Sequence, residues 1–192
     1  MNNNLEKEFI FDKEIEDHIE TTKHLINIKN KIFELEERIS EAFNRKNKVL
    51  ICGNGGSAAD ALHLSSELIG RYEKERKGYP AISLSGDISA ITAIGNDYGF
   101  ENIFSKQIES IGVEGDILIC LSTSGNSKNI VKAVETSNNL NIYTFGLLGK
   151  NGGILKNLVK EYIIIKNSRT CRIQEMHGLL IHILCELIDR KI

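Results

Sequence analysis

Two residues of reactive type, His63 and Glu67, stand four apart in the stretch CGNGGSAADALHLSSELIG, from Cys52 to Gly70. On a helix, residues four apart share a face, so this imidazole and carboxylate can converge on one point. Such a pair is by itself most often an ordinary surface contact. Here the neighbours Ala58, Ala59, Ala61, Leu62 and Leu64 read as buried. A partly desolvated carboxylate among them would have its pKa pushed toward the range useful for a general base. The closing stretch RIQEMHGLLIHILCELI adds Gln174 and His182, eight residues apart and so about two turns from each other on a similar side. His182 lies in a nearly apolar run, where a histidine is more often a satisfied core residue than a ligand. His63, Glu67, Gln174 and His182 would make an N/O metal set, which spacing alone does not establish.

Two further stretches are unusually small and polar. CGNGGSAAD matches G-x-G-x-x-A from Gly53 to Ala58, a dinucleotide fingerprint that requires an acidic residue at the end of the next strand. The next strand-like run ends near SLSGD, and Asp87 falls too far along and beyond a glycine. The dinucleotide reading is therefore weak, and no nucleotide cofactor is expected. LSTSGNSKN offers Ser122, Thr123, Ser124 and Ser127 around Gly125, without the lysine of a P-loop. An ordinary serine-rich turn with helix caps would look the same. Hydroxyls and backbone amides at a helix N-terminus also suit a phosphomonoester, and two such turns in one small protein favour that reading.

The elements that must carry these residues follow from periodicity. From about Leu5 to Phe43, Ile15, Ile19, Leu25, Ile28, Ile32, Leu35 and Ile39 recur at helical spacing among charges, which predicts one or two long amphipathic helices. No glycine or proline precedes Gly53 to break them. From Lys48 onward, the strand-like runs VLIC, AISL, DILICLS, IYTFGLL and YIIIK alternate with helical segments, and Arg169 to Ile188 reads as a long apolar helix. Short apolar strands alternating with helices imply a parallel sheet covered on both faces. The expectation is a single α/β domain with a helical N-terminal extension. Ligands of such sheets bind at the carboxyl ends of the strands.

Composition sets the outer bounds. A chain of 192 residues, 41% hydrophobic, suffices for one domain with a real core. A formal net charge of -2 with no long basic block argues against nucleic acid or an anionic membrane as partner. No apolar run is long enough to span a bilayer, and the N-terminus lacks the pattern of a signal peptide, so a cytoplasmic protein is expected. Cys52, Cys120, Cys171 and Cys185 show no C-x-x-C spacing and read as buried, reduced thiols.

The motifs CGNGGSAADALHLSSEL, AIGNDYGF, STSGNSKN and RIQEMHGLLIHILCELID, in this order, resemble the phosphoheptose isomerases of the sugar isomerase (SIS) domain superfamily. The likeness runs from about Lys48 to the C-terminus. It implies a SIS domain over 47–192 and a helical extension over 1–46 that belongs to the same domain and to an oligomer interface. It further implies a cytoplasmic homotetramer with one zinc per chain. The reaction implied is conversion of D-sedoheptulose 7-phosphate to D-glycero-D-manno-heptose 7-phosphate, the first step toward the nucleotide-activated heptoses of bacterial lipopolysaccharide core or capsule. Glu67 and His182 match the proton-transfer pair of that family. His63, Glu67, Gln174 and His182 match its metal positions. Asn54, Gly55, Gly56, Glu67, Asn96, Asp97, Ser122, Thr123, Ser124, Ser127 and Gln174 match its substrate contacts. Two details depart from the pattern: Cys171 stands where several relatives have an acidic residue, and SSEL leaves Glu67 without the paired acid often seen before the leucine. The rival expectation is a sugar-phosphate sensor of the same superfamily, which would keep the two loops without needing Glu67 and His182.

Overall fold

The computed structural model describes residues 3–191. Its helices are α1 (Asn3–Lys23), α2 (Lys29–Asn44), α3 (Gly56–Ile69), α4 (Ile88–Tyr98), α5 (Ser105–Ile111), α6 (Lys128–Asn139) and α7 (Thr170–Lys191). Its strands are β1 (Val49–Gly53), β2 (Ala81–Ser83), β3 (Ile117–Ser122), β4 (Tyr143–Gly149) and β5 (Glu161–Ile165). All neighbouring strands pair in parallel, in the order β2-β1-β3-β4-β5. The expected α/β architecture is the observed one.

The strands read as unbroken apolar runs because both faces of the sheet are covered. Val49 and Ile51 of β1 join Ile117, Ile119, Leu147 and Ile163 on one face, packed against Leu35 and Ile39 of α2, Leu64 of α3 and Ile173, Ile181 and Leu184 of α7. Leu50 and Cys52 point the other way, with Leu118, Cys120 and Leu148, onto Ile108 of α5 and Ile130 and Val134 of α6. The two-residue period of a strand divides these sets, so a single run such as VLIC supplies both cores.

The N-terminal region forms two helices, and a short 3-10 stretch, His24–Ile28, separates them. No glycine or proline marks that break; the chain changes course there because Ile32, Leu35 and Ile39 bury against the sheet. α1 is held differently. Polar contacts tie it to the start of α7, with His18 Nδ1 2.7 Å from Glu175 Oε2 and Arg169 2.7 Å from Glu14 and 3.0 Å from Asp17. Its Phe9, Phe11, Ile15 and Ile19 remain exposed.

This strand order has a consequence for ligand binding. After β1 the chain moves outward to β2, then returns to the opposite side of β1 to form β3. Where the direction of winding reverses, the connections leave the sheet on opposite faces and open a crevice at the carboxyl ends of the two strands. The segments leaving β1 and β3 are the two glycine- and serine-rich turns.

Candidate active site

The turn after β1 is built for close approach. Gly55 has φ +56° and heads α3 with open space where a Cβ would stand. At Gly56 a Cβ would collide with the amide of Gln174, so the missing side chain lets Gln174 of α7 lie directly over the loop. Asn54 exchanges a reciprocal pair of 2.9 Å amide hydrogen bonds with Asn129 at the start of α6. That contact joins the β1 turn to the β3 turn.

In the second turn the Ser122 hydroxyl accepts from the Gly125 amide at 3.0 Å, and Ser124 Oγ accepts from the Asn126 amide at 3.2 Å. Gly125, at φ +67°, lies against the backbone of Gly152, where no side chain fits. Ser127 stands at the N-cap of α6, yet its hydroxyl makes no capping bond, so it is available to a ligand beside the positive end of the helix. An open pocket of ≈ 410 Å³ lies between the two turns, lined by Asn54, Phe100, Glu101, Ser127, Lys128 and Asn129. Phe100, Lys128 and Asn129 were not singled out by the sequence. The Asn54–Asn129 pair bridges 75 residues of chain, and no local pattern signals it.

The second half of the site lies further along α3. His63 is seven residues beyond Gly56, about 10 Å of helix rise. His63 Nε2 is 3.2 Å from Glu67 Oε1 and 3.3 Å from His182 Nε2 on α7. The two rings meet edge to face, with centroids 4.9 Å apart. His63 Nε2 thus stands between a carboxylate oxygen and an imidazole nitrogen, and a single N–H there serves one of them at a time. Tyr72 covers His182 from the other side, centroid to centroid 6.1 Å. Glu67 is 24% exposed and His63 39%, which leaves both accessible but partly dehydrated.

Some expectations need correction. Leu62 is 46% exposed and Ala59 is also exposed, because they face away from the sheet. His182 is not a core histidine but an exposed one; the core position belongs to His177. Cys171 is exposed in the first turn of α7, whereas Cys52, Cys120 and Cys185 are buried. Asp87, the acid of the weak dinucleotide pattern, caps α4 by accepting from the Ala90 amide at 2.9 Å. Asn96 and Asp97 sit on the exposed last turn of α4, bonded to each other at 2.8 Å and to none of the other candidates.

The four metal candidates are only partly assembled. Nitrogen and oxygen donors about 2.0–2.1 Å from a tetrahedral ion would stand about 3.3 Å apart, close to the His63–His182 and His63–Glu67 separations. Gln174, however, is turned toward Gly56. Among the described residues no three His, Cys, Asp or Glu side chains form a ready cage for a metal ion.

With this geometry in hand, the family model described as the SIS domain matches residues 12–149. A phosphoheptose isomerase from Helicobacter pylori is 47% identical over 99% of this chain and 96% of its own length. A phosphoheptose isomerase from Campylobacter jejuni is 46% identical over 95% of this chain and 98% of its own. The solved structure of a phosphoheptose isomerase from Neisseria gonorrhoeae superposes with a TM-score of 0.90 at 36% identity, covering 95% of this chain and 98% of that one. The chain belongs to the phosphoheptose isomerases of the SIS domain family. The relatives extend through α1 and α2, beyond the region in which the motifs are recognisable.

Proposed function

We propose that this enzyme interconverts D-sedoheptulose 7-phosphate and D-glycero-D-manno-heptose 7-phosphate, supplying heptose for lipopolysaccharide core or capsule. The observation that carries the reading is the arrangement along α3. Its N-terminal turn meets a second hydroxyl-rich turn around one pocket, and the His63–Glu67–His182 contacts lie about 10 Å further on. A phosphate held at one end and a carbonyl worked on at the other describe an open-chain sugar phosphate. The relatives named above are phosphoheptose isomerases, matched at 46–47% identity over nearly their whole length.

Moving the carbonyl from C2 to C1 requires removal of a proton from C1 and delivery of one to C2. Glu67 is the base: its carboxylate is three-quarters covered yet reaches the open side of α3. His182 passes protons between the two substrate oxygens, since imidazole donates and accepts near neutrality. The resulting intermediate is an enediol. Ser122, Thr123, Ser124 and Ser127 with the α6 amides hold the phosphate, and Gly55 and Gly56 admit the sugar close to the backbone. Asn96 and Asp97 complete the substrate contacts.

His63, Glu67 and His182 suit zinc by donor type, at one ion per chain; Gln174, whose amide lies toward Gly56, would complete the set with an oxygen donor unusual for zinc. Bound there, the ion would act as a Lewis acid on the sugar oxygens. A homotetramer in the cytoplasm is part of the same proposal; the uncovered apolar residues of α1, with Leu62 and Ile183 beside the site, support the assembly. No helix of the described residues is long and apolar enough to cross a membrane. A coupled assay of sedoheptulose 7-phosphate isomerisation, run with and without chelator, tests the reading. Turnover sensitive to chelator supports both parts; turnover indifferent to it removes zinc from the reaction; no turnover with zinc supplied refutes the activity.

A further inference from the structure

The loop RYEKERKGYP between α3 and β2 reads as a solvated charge run, and most of it is. Glu75 is 90% exposed and Arg71 59%. Arg76 departs from this: its side chain is 8% exposed and meets Asp189 of α7, which is 2% exposed, at 2.6 Å. Every face of this ion pair has a partner. Asp189 Oδ2 accepts from the backbone amides of Glu73 at 3.0 Å and Lys74 at 3.1 Å. The Arg76 guanidinium lies 4.4 Å over the ring of Tyr79, which itself stacks on Phe43.

The other guanidinium nitrogens determine what the pair does. Nη2 donates to the Glu67 carbonyl at 3.0 Å, and Nη1 donates to the carbonyls of Leu68 at 3.1 Å and Gly70 at 3.2 Å. These are the carbonyls that the end of α3 leaves without helical partners, at the negative pole of the helix. Asp189 follows His182 by seven residues, two turns, and so projects from about the same face of α7. One ionic bridge therefore runs from the backbone of Glu67, through Arg76, to the helix that carries His182. The His63–His182 contact is the other link between reactive groups across the same two helices.

We propose that Arg76, anchored by Asp189, is a positioning residue that sets the axial offset of α3 against α7 and thereby the placement of Glu67 relative to His182. The proposal rests on the assignment of Glu67 and His182 as the proton-transfer pair. Lysine in place of arginine reaches one partner but cannot span the carbonyls and the carboxylate together, because its charge is a single point rather than a planar fork. Asparagine in place of Asp189 keeps the shape and loses the charge. The serine-rich turn is built from β3 and the start of α6 and does not depend on this bridge.

The test uses the full-length enzyme with sedoheptulose 7-phosphate, comparing Arg76→Lys, Asp189→Asn and Glu67→Gln. A misplacement of reacting groups by an ångström costs on the order of 10²-fold in rate. The expected result is a fall in kcat of about 10- to 100-fold in both Arg76→Lys and Asp189→Asn, with KM within about twofold of the parent. Imidazole NMR signals of His63 and His182 should move in the same variants, which a general loss of stability would not produce. Where one variant fails to fold, the other carries the measurement. Folded variants with a lowered Tm but parental kcat and unmoved imidazole signals would overturn the proposal and leave the bridge a stabilising contact. Parental kcat in Glu67→Gln would instead overturn the assignment beneath it, and with it the role given to Arg76.

Discussion

His177 and His182 are five residues apart on α7 and have opposite surroundings. His177 is fully buried, with Nε2 3.4 Å from the Leu148 carbonyl and Nδ1 without a hydrogen-bond partner among the described residues. Burial pushes its pKa down to about 4, against the raising effect of the Leu148 carbonyl, so the ring is neutral wherever the protein is folded near neutral pH. His182 faces outward, with His63 on one side and Tyr72 on the other. A rotation of about 140° around the helix separates a histidine that packs from one that faces the candidate site. Residue type and an apolar neighbourhood do not distinguish them. The face of the helix does.

The largest effect should come from the reactive side of this contrast. Glu67→Gln and His182→Gln should each lower kcat by about 10²–10⁴-fold while substrate still binds, as steady-state kinetics would show. His177→Leu should leave kcat within a few-fold of the parent if its role is packing. A large kcat loss in His177→Leu with little in His182→Gln would invert the assignment.

Phosphate binding sharpens the comparison at the opposite end of α3. No lysine or arginine precedes Lys128 in LSTSGNSK, so under the proposed reading hydroxyls and amides hold the phosphate charge. Ser124→Ala combined with Ser127→Ala should raise KM, at roughly 1.5–3 kcal/mol for each bond lost to the charged phosphate. Unchanged KM and kcat in the double variant would remove the phosphate from this turn.

The packed side predicts a pH dependence of stability. The unfolded chain binds a proton at His177 below about pH 6.5, whereas the folded protein resists doing so until about pH 4. Between those values the unfolded state holds more protons, so stability rises with pH across that window and is lost as pH falls through it. The contribution amounts to about 3 kcal/mol at most. Denaturant unfolding of the native chain and of His177→Leu at pH 4 to 7 should show this slope in the first and a shallower one in the second. Parallel curves would mean that other groups govern the acid limb.

The sequence by itself determined the α/β class, the alternation of strands and helices, and the location of both glycine- and serine-rich turns. Those features follow from periods of 2 and 3.6 residues and from glycines and serines clustered after apolar runs, which are local properties. It also singled out His63, Glu67 and His182, through an i,i+4 spacing and a motif resemblance. Only the tertiary structure decided that Leu62 is exposed, that His177 rather than His182 is the buried histidine, and that Asn129 pairs with Asn54 across 75 residues. The same holds for Arg76, one charge in a charged loop until the fold buries it between Asp189 and the carbonyls at the end of α3. Each of these depends on which helix face meets the sheet and which chain segment returns to it. Hydrophobic periodicity sets the amphipathic stripe of one helix, but only the packing of all the elements together selects the partner that covers it.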